Sequence, residues 1–205
     1  MLEIKRIDQE HQADIRLKNE PFSLWGKMLP SYNEGSWQYT ICKFAPEDIQ
    51  TMRFPDENYC YDEMSRNSLF IGAYDDGKCI GLAIVQDAFF KYLYLYDLKV
   101  NTDYRQQGVG QLLIQQALKA ALAKGYRGIY TQAQDNNPSA CLFYLRAGFR
   151  IGGLDTEVYK GTNQEGKSDI LFYLDAAETA GKKYLKKEKN SSCQMVHLRQ
   201  QCFRR

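Results

Sequence analysis

The segment YLYLYDLKVNTDYRQQGVGQLLIQQALKAALAKG, residues 92–125, decides the fold that this sequence predicts. Its first nine residues show a two-residue period, which is typical of a β-strand. We expect one side of that strand to carry Tyr92, Tyr94, Tyr96, Leu98 and Val100, and the other Leu93, Leu95, Asp97 and Lys99. From Val109 onward apolar residues recur at helical spacing, and Gly125 supplies a stop. The segment therefore predicts a strand, a tight turn and a long amphipathic helix.

The turn between this strand and this helix reads Arg105-Gln106-Gln107-Gly108-Val109-Gly110. Its glycines let the backbone approach a ligand closely, and the first helical turn presents unpaired N–H groups at the positive end of the helix dipole. This arrangement favours an anion site, most naturally for a pyrophosphate. A P-loop is excluded because Gln111-Leu112 replaces Lys-Ser or Lys-Thr, and the dinucleotide fingerprint lacks its third glycine. A tight packing turn without a ligand is the alternative.

The residues before this segment predict further strands. Two β-rich runs flank Asp75-Asp76-Gly77-Lys78, and Asp-Gly is a strong signal for a two-residue hairpin turn. With the strand at residues 92–100 they predict three consecutive antiparallel strands. Near the N-terminus, Leu2, Ile4 and Ile7 alternate, which predicts a first strand.

Two other segments of this half of the chain are harder to interpret. Residues 19–40 combine Pro and Gly with five aromatic residues, which predicts broken helices and loops. Those aromatic side chains either plug one edge of the core or line a pocket. Residues 44–68 carry six acidic side chains, which form either a solvated loop or an acidic rim that attracts a cationic substrate.

The residues after Gly125 predict a strand, a second helix and a closing pair of strands. RGIYTQAQ, residues 127–134, reads as a strand. A helix follows from Pro138, with Asn136 or Asn137 as its cap and Gly148 as its left-handed end. On that helix Tyr144 shares a face with apolar residues, so a core tyrosine is its default interpretation.

Charge is distributed unevenly along the chain of 205 residues. The formal net charge is +2, but residues 176–205 hold eight Lys and Arg against two Glu, so residues 1–175 carry −4. We predict a single domain over residues 1–175 and a basic, partly disordered tail over residues 176–205. A solvated appendage is the favoured interpretation of the tail, and nucleic-acid binding is the less favoured one.

The cysteine and histidine content predicts reduced thiols and no metal site. Six cysteines form no C-x-x-C motif, and the sequence holds only two histidines. A cytoplasmic protein fits this pattern. The charged N-terminus excludes a secretory signal, and no apolar run approaches the roughly 18 residues of a membrane span.

Two sequence motifs, one on each predicted strand-to-helix turn, resemble those of the GNAT family of N-acetyltransferases. The first is R-x-x-G-x-G between strand and helix, and the second, more telling, is N-x-x-A-x-x-x-Y from Asn137 to Tyr144 with Ala147-Gly148-Phe149 after it. The resemblance covers most of residues 2–175. It implies an α+β fold with α/β/α layers, in which helices flank a mixed, mostly antiparallel sheet. It also implies a splayed V between the fourth and fifth strands, where the pantetheine arm of acetyl-CoA lies.

At finer grain several segments resemble the streptothricin acetyltransferases. The similar stretches include PFSLWGKMLPSY, RQQGVGQLLI and QDNNPSACLFYLRAGFRIGGLDTEVYKG. The chain departs from that group at Thr131 and Ala133, where Glu and Thr often stand, so the usual carboxylate of that strand is missing. A tryptophan common in the last strand is also absent. Both departures lie near the acceptor pocket, so they bear on the acceptor and leave the acyl donor unaffected.

The resemblance implies that the chain forms an amide from an amine and the thioester of acetyl-CoA. This reaction needs a neutral amine, an oxyanion donor and a proton for the leaving thiolate. An alkyl amine is almost fully protonated at neutral pH, and Asp97 is the candidate base that takes its proton, with a strand-end structural aspartate as the alternative. Tyr144 is the candidate general acid that the resemblance implies. A backbone N–H near Leu98 or Lys99 is the expected oxyanion donor. Cys141 is interpreted as helix packing because no histidine accompanies it.

Acetyl-CoA, with no metal, is the expected cofactor and acyl donor. Its predicted contacts are Leu98, Lys99, Val100, Arg105, Gln106, Gln107, Gly108, Val109, Gly110, Gln111, Asn137, Ala140, Cys141 and Tyr144. The predicted acceptor contacts are Trp25, Tyr32, Asp97 and Asp155.

The predicted activity is acetyl transfer to a primary amine of a small cationic acceptor, with streptothricin as the candidate. Protein or peptide N-acetylation is the alternative among enzymes, and an acyl-CoA-binding module without turnover is the alternative outside them. We expect neither a membrane nor a nucleic acid as partner. The oligomeric state stays open, with a homodimer as one option.

Overall fold

The computed structural model describes residues 1–88 and 90–176, so the predicted basic tail lies outside the described residues except for Ala176. The strands are β1 Glu3–Arg6, β2 Phe22–Leu24, β3 Gly26–Asn33, β4 Ser36–Lys43, β5 Gln50–Met52, β6 Ser68–Asp75, β7 Lys78–Gln86, β8 Tyr92–Val100, β9 Gly128–Gln134, β10 Arg150–Asp155 and β11 Asp169–Asp175. The α-helices are α1 Tyr61–Met64, α2 Val109–Ala123 and α3 Pro138–Arg146. Short 3₁₀ helices lie at Gln12–Arg16, Pro46–Asp48 and Thr102–Tyr104.

One seven-stranded sheet organises the fold, in the order β1-β6-β7-β8-β9-β11-β10. All of its pairs are antiparallel except β8 with β9, the fourth and fifth strands. These two pair only through three residue pairs, from Tyr92–Gly128 to Tyr94–Tyr130, and their remaining residues diverge. The mixed, mostly antiparallel sheet with a V between its fourth and fifth strands is confirmed.

The helices α2 and α3 cover one face of this sheet. The buried residues of α2 follow the helical period, with Leu113 and Ala117 fully buried against the sheet. Gly81 permits this approach, because a Cβ there would lie 3.2 Å from a methyl carbon of Leu113. The opposite face is covered over β6 and β7 by the 3₁₀ helix Gln12–Arg16, whose Ile15 packs with Phe70 in a second core cluster.

A β-bulge in β8 changes the side-chain pattern that the sequence predicts. Ile84 pairs with Asp97 and Val85 with Leu95, so Tyr96 is an extra residue. The alternation therefore changes phase: Leu98 and Val100 pack against the hydrophobic cluster that contains Leu93 and Leu95. The prediction that Tyr92, Tyr94, Leu98 and Val100 share one side is wrong, because a bulge arises from pairing with a neighbour and not from the strand's own period.

The interpretation of residues 19–40 as broken helices and loops is also wrong. Residues 26–43 form the hairpin β3–β4, whose turn places Glu34 at φ 49° and Gly35 at φ 82°. Two positive φ values define the turn type that suits hairpin twist, and glycine favours it at the second position. Pro30 is tolerated because a two-stranded sheet has only edge strands.

The other predicted turns and caps are confirmed. Asp76 and Gly77 have φ 46° and 80° at the β6–β7 turn. Asn137 caps α3 through its side-chain oxygen, which accepts from the Ala140 N–H at 3.2 Å, and Pro138 occupies the first helical turn. Gly148 follows α3 at φ 100°. The second helix therefore begins and ends where the sequence predicts.

Candidate functional site

The loop between β8 and α2, which the sequence predicts to bind an anion, lies at the open end of the V. Gln106 and Gly108 both have positive φ, at 63° and 85°. No side chain caps the first turn of α2, so the N–H groups of Val109, Gly110 and Gln111 lie at the helix start without intrahelical acceptors. A Cβ on Gly108 would meet no atom within 4 Å, which leaves space in front of these donors. The loop fits a diphosphate.

Gly110 is important for the packing of α2 against α3. A Cβ at this position would lie 3.0 Å from Cζ of Phe143, which is tighter than nine in ten real Cβ contacts. The absence of a side chain therefore lets α2 and α3 approach each other at the V. A larger residue would move Phe143, the neighbour of Tyr144.

The Arg105 side chain is held by the protein itself. Its Nε donates to the Val100 carbonyl at 3.0 Å and its guanidinium to the Pro21 carbonyl at 3.1 Å, with Glu20 3.6 Å away. These contacts tie the loop to β8 and to the N-terminal segment. The role of Arg105 as a pyrophosphate ligand stays a prediction.

A glycine pair on α2 provides a test of the anion site. Gly108 and Gly125 flank the helix, both have φ above 80°, and a Cβ at either meets no atom within 4 Å. Alanine at either position should cost a similar free energy of unfolding, about 1 kcal/mol. We expect only Gly108→Ala to weaken acetyl-CoA binding, roughly tenfold by calorimetry. Equal affinities of the two variants would contradict the assignment.

Tyr144 lies on α3 at the apex of the V and is buried. Its ring packs against Phe149 and Phe172, with centroids 5.3 and 5.5 Å away. The nearby Thr131 hydroxyl donates to the Leu95 carbonyl at 2.9 Å, just past the last β8–β9 pair. Burial raises the pKa of Tyr144, so the phenol keeps its proton.

The other α3 residues predicted to contact the cofactor have structural roles in the described contacts. Asn137 caps the helix, and Ala140 supplies the amide that it binds. Cys141 is fully buried, with Sγ 3.5 Å from the Gln134 carbonyl, and burial raises its pKa to about 12. A thiol in this state is a poor nucleophile, which agrees with its interpretation as packing.

The backbone of β8 directs alternate N–H groups toward the V. Asn101 donates its N–H to the Ile80 carbonyl of β7 at 2.9 Å. Because strand polar groups alternate in direction, the Lys99 N–H also points toward β7, while those of Leu98 and Val100 point to the open side. Leu98 is therefore better placed than Lys99 as the oxyanion donor.

Asp97 lies on the sheet face opposite Tyr144, at the edge of the V. Its side chain is 16% exposed, and its Oδ2 accepts from the Tyr59 hydroxyl at 3.0 Å and lies 3.3 Å from Nζ of Lys99. Within residues 1–88 and 90–176, no group donates to the other oxygen, Oδ1. Burial raises the pKa of Asp97, despite the opposing charge of Lys99. A buried carboxylate with one free oxygen suits a general base.

Lys99 and Glu57 extend this polar cluster. The Lys99 side chain, 9% exposed, contacts Glu57 and Asp97 and donates to the Leu17 carbonyl at 3.2 Å. Burial acts against ionisation of Glu57, but hydrogen bonds from Lys99 and Asn19 outweigh it and lower its pKa. Two carboxylates therefore share one buried ammonium.

The charges around Asp97 predict opposite pH shifts in two variants. Asp97 must be ionised to accept a proton, so kcat/KM should fall as the pH drops through its pKa. Lys99→Met removes a charge that lowers this pKa and should move the acid limb to higher pH. Glu57→Gln removes a charge that raises it and should move the limb to lower pH. We expect each shift to be on the order of one pH unit.

The measurement is the profile of kcat/KM from acid to neutral pH at saturating acetyl-CoA, with thermal unfolding as the control for folding. Shifts in the same direction for both variants would contradict the assignment of the limb to Asp97.

Three predicted acceptor contacts lie at different places. Trp25 donates its indole N–H to the Ser139 hydroxyl at 2.8 Å, at the start of α3. Tyr32 lies near the hairpin tip against Trp37, with ring centroids 5.1 Å apart and its side chain 58% exposed. Asp155 ends β10, where its Oδ1 accepts from the N–H groups of the following turn, at 2.9 and 3.1 Å.

The structure does not bring Tyr32 to the site. The base of its hairpin is tied to the carboxyl end of β9, where Lys27 contacts Asp135 at 2.9 Å. The tip instead lies in a groove with Arg150, which binds Asp175 beside the first residue of β9. The length of β9, about 20 Å, separates the two ends. The residues between Trp25 and Tyr32 span this distance because they form a strand and not the predicted loop.

Sequence reasoning missed three side chains of the site. Glu57 belongs to the acidic segment for which a rim was one interpretation, so its charge was a partial signal. Thr131 was noted only as a departure from the family pattern near the acceptor pocket, and its contact with Leu95 was not foreseen. Tyr59 carried no signal, because it reaches Asp97 across more than 30 residues of the chain.

The described residues contain no candidate metal-binding cluster and no candidate membrane-spanning helix. Between residues 1 and 176, Phe89 aside, no three His, Cys, Asp or Glu side chains are arranged to hold a metal ion. In the same part of the chain no helix is long and apolar enough to cross a membrane.

Comparison with known proteins places this geometry in context. Residues 34–149 match the model of the acetyltransferase (GNAT) family. The chain is 30% identical over 170 residues to streptothricin acetyltransferase A of Bacillus subtilis (strain 168), which covers 83% of this chain and 98% of that protein.

Solved structures of acetyltransferases have a similar fold. A protein of Bacillus anthracis str. Ames, described as a streptothricin acetyltransferase and crystallised with acetyl coenzyme A, is 28% identical, with a TM-score of 0.75 over 85% of this chain and 98% of its own. A nourseothricin acetyltransferase shares the fold at 23% identity and a TM-score of 0.70, with the same coverage.

Proposed function

Because the chain belongs to the GNAT acetyltransferase family and is an acetyl-CoA-dependent N-acetyltransferase, we propose that its acceptor is a primary amine of a small cationic molecule such as streptothricin. The observation that carries this proposal is the position of Asp97. Its free Oδ1 lies at the edge of the V, on the sheet face away from α2 and α3, and Glu57 adds a second carboxylate beside it. This face attracts an ammonium group.

The proposal gives each step to a residue of this chain. Acetyl-CoA supplies the acetyl group as a thioester. Asp97 Oδ1 takes a proton from the acceptor ammonium, which frees the nitrogen lone pair for attack. The Leu98 N–H stabilises negative charge on the carbonyl oxygen, and Tyr144 holds the proton that the departing thiolate needs. The nitrogen attacks the thioester carbon to form the C–N bond, and the C–S bond breaks as Tyr144 gives its proton to the departing sulfur. The second excess proton of the nitrogen restores the Tyr144 phenol, Asp97 releases its proton to solvent, and no acyl group forms on the protein.

The electrostatics support a cationic acceptor over a neutral one. The two carboxylates at the site share the single ammonium of Lys99, so the cluster keeps a net negative charge. Residues 1–175 as a whole carry −4, which raises the local concentration of cations. The similarity to streptothricin acetyltransferases supports the same class of acceptor.

A thiol-release assay with acetyl-CoA and a panel of amines tests the proposal. The panel contains streptothricin, aminoglycosides, polyamines, neutral amino alcohols and lysine peptides. We expect acetylation of streptothricin or another small polycation, with kcat/KM at least roughly 100-fold above the neutral amines.

The same panel separates the alternatives. Turnover of lysine peptides alone would overturn the proposal in favour of peptide N-acetylation. Binding of acetyl-CoA by calorimetry without turnover of any amine would overturn it in favour of a binding module.

A further inference from the structure

Six tyrosine side chains form a continuous row on the sheet face opposite α2 and α3. This tyrosine row consists, in spatial order, of Tyr59, Tyr96, Tyr94, Tyr130, Tyr173 and Tyr92. Successive ring centroids are 6.0, 5.8, 4.8, 5.7 and 5.1 Å apart. The row crosses β8, β9 and β11. At one end of it, the hydroxyl of Tyr59 donates to Asp97. The row therefore leads to the candidate base.

Both ends of the tyrosine row already carry cations of the protein. Arg150 lies over the Tyr173 ring, with Cζ 6.0 Å from the centroid, and Lys99 lies over the Tyr59 ring, with Nζ at 5.4 Å. No Lys or Arg within residues 1–88 and 90–176 lies over the middle rings, those of Tyr94, Tyr96 and Tyr130. Tyr130 is stacked between Tyr94 and Tyr173, so its faces are covered, whereas the Tyr96 ring stands at 89° to that of Tyr94. Because the face of a phenol ring attracts cations, Tyr96 can take one from a ligand.

This middle part is accessible and lies next to negative charge. The helical elements on the same face pack against β6 and β7, where Tyr61 of α1 stacks on Phe70 at 5.1 Å. Tyr96 is 43% exposed. Carboxylates lie at two places along the row. Asp97 and Glu57 lie near Tyr59. Asp169 lies at the start of β11, and its charge is one of the smaller causes that raise the pKa of Tyr94, after burial.

We propose that the tyrosine row binds the cationic body of the acceptor. The ligand is a small molecule with at least two cationic groups, of which one amine reaches Asp97 and another lies on the ring of Tyr96. This inference rests on the proposed function and adds to it a binding surface and the requirement for a second cation.

Three variants separate a ring contact from other roles of Tyr96. Tyr96→Leu removes the aromatic face, and Tyr96→Phe keeps the face and removes only the hydroxyl. Tyr39→Leu is the matched control, because Tyr39 lies on β4, outside the row, and is 45% exposed. Each variant of the full chain, saturated with coenzyme A, is titrated by calorimetry with streptothricin, spermidine and n-butylamine. KM values are measured in parallel wherever the probe is acetylated.

We expect Tyr96→Leu to raise the Kd of streptothricin and spermidine roughly 3- to 30-fold. Tyr96→Phe and Tyr39→Leu should stay within about twofold of the wild type, and n-butylamine should be insensitive to all three changes. Unchanged polycation binding in Tyr96→Leu would overturn the inference. So would equal losses in the Leu and Phe variants, because the hydroxyl and not the ring would then be the contact.

The failure of this inference can be told from failure of the proposed function. If a small polycation is acetylated with the same KM by wild type and Tyr96→Leu, the tyrosine row is not its binding surface, although the proposed function stands. If polycations bind through Tyr96 but are never acetylated, the row is supported and the proposed acceptor is overturned.

Discussion

Tyr144→Phe is expected to lower kcat by roughly 100-fold or more, because the departing thiolate loses its proton donor. The affinity for acetyl-CoA should change by less than about twofold, since the phenylalanine ring keeps the packing against Phe149 and Phe172. Stopped-flow or steady-state thiol release gives kcat, and calorimetry gives the Kd of acetyl-CoA. A loss of rate without a loss of binding is the signature of a group that acts in the transition state.

The matched control is Tyr104→Phe. The Tyr104 hydroxyl donates to Asp75 at 3.2 Å, so this variant removes a phenol hydroxyl that has a partner outside the proposed mechanism. Both variants should unfold within a few degrees of the wild type. Unchanged transfer by Tyr144→Phe would remove this residue from the mechanism and leave it as a core tyrosine.

Asp97→Asn should reduce kcat/KM for the acceptor by roughly 100-fold or more, because an amide cannot take the proton of the attacking amine. The side chain keeps its size, and its oxygen can still accept from the Tyr59 hydroxyl. The Kd of acetyl-CoA should therefore stay the same within about twofold. The acid limb of the pH profile should disappear in this variant, since the group that produces it no longer titrates.

Asp87→Asn is the control for this change. Asp87 accepts hydrogen bonds from Lys124 and Tyr126 at the far end of β8, and its carboxylate is exposed. It should leave the pH profile unaltered. If Asp97→Asn retains more than about a third of the activity, a water chain or another carboxylate takes the proton, and Asp97 is a structural strand-end residue.

Local patterns predicted the parts of the fold that depend on neighbouring residues. The hairpin turn at Asp76-Gly77, the start of α3 at Asn137-Pro138 and the end of α2 before Gly125 are all present where the sequence indicates them. Each of these follows from the backbone preferences of one or two residues. The same preferences at Glu34-Gly35 were present, but the density of Pro and aromatic residues around them obscured the β3–β4 hairpin.

At the candidate site, the sequence predicted individual residues but not the contacts around them. Asp97 and Tyr144 could be singled out because each stands at a fixed place in a motif. Their environment could not be predicted, because Glu57, Tyr59 and Lys99 meet at Asp97 only after two distant segments pack together. The tyrosine row has the same origin, since its members come from β8, β9, β11 and a loop.

By itself the sequence determined the order of strands and helices from β6 onward and the membership of an acetyltransferase family, because these depend on short-range spacing and on glycine, proline and cap residues. Only the tertiary structure decided which face each residue of β8 occupies. The bulge at Tyr96 exists through pairing with β7, and it directs Asp97 and Lys99 to one face and Leu98 to the other. A period read along one strand carries no information about the partner that interrupts it.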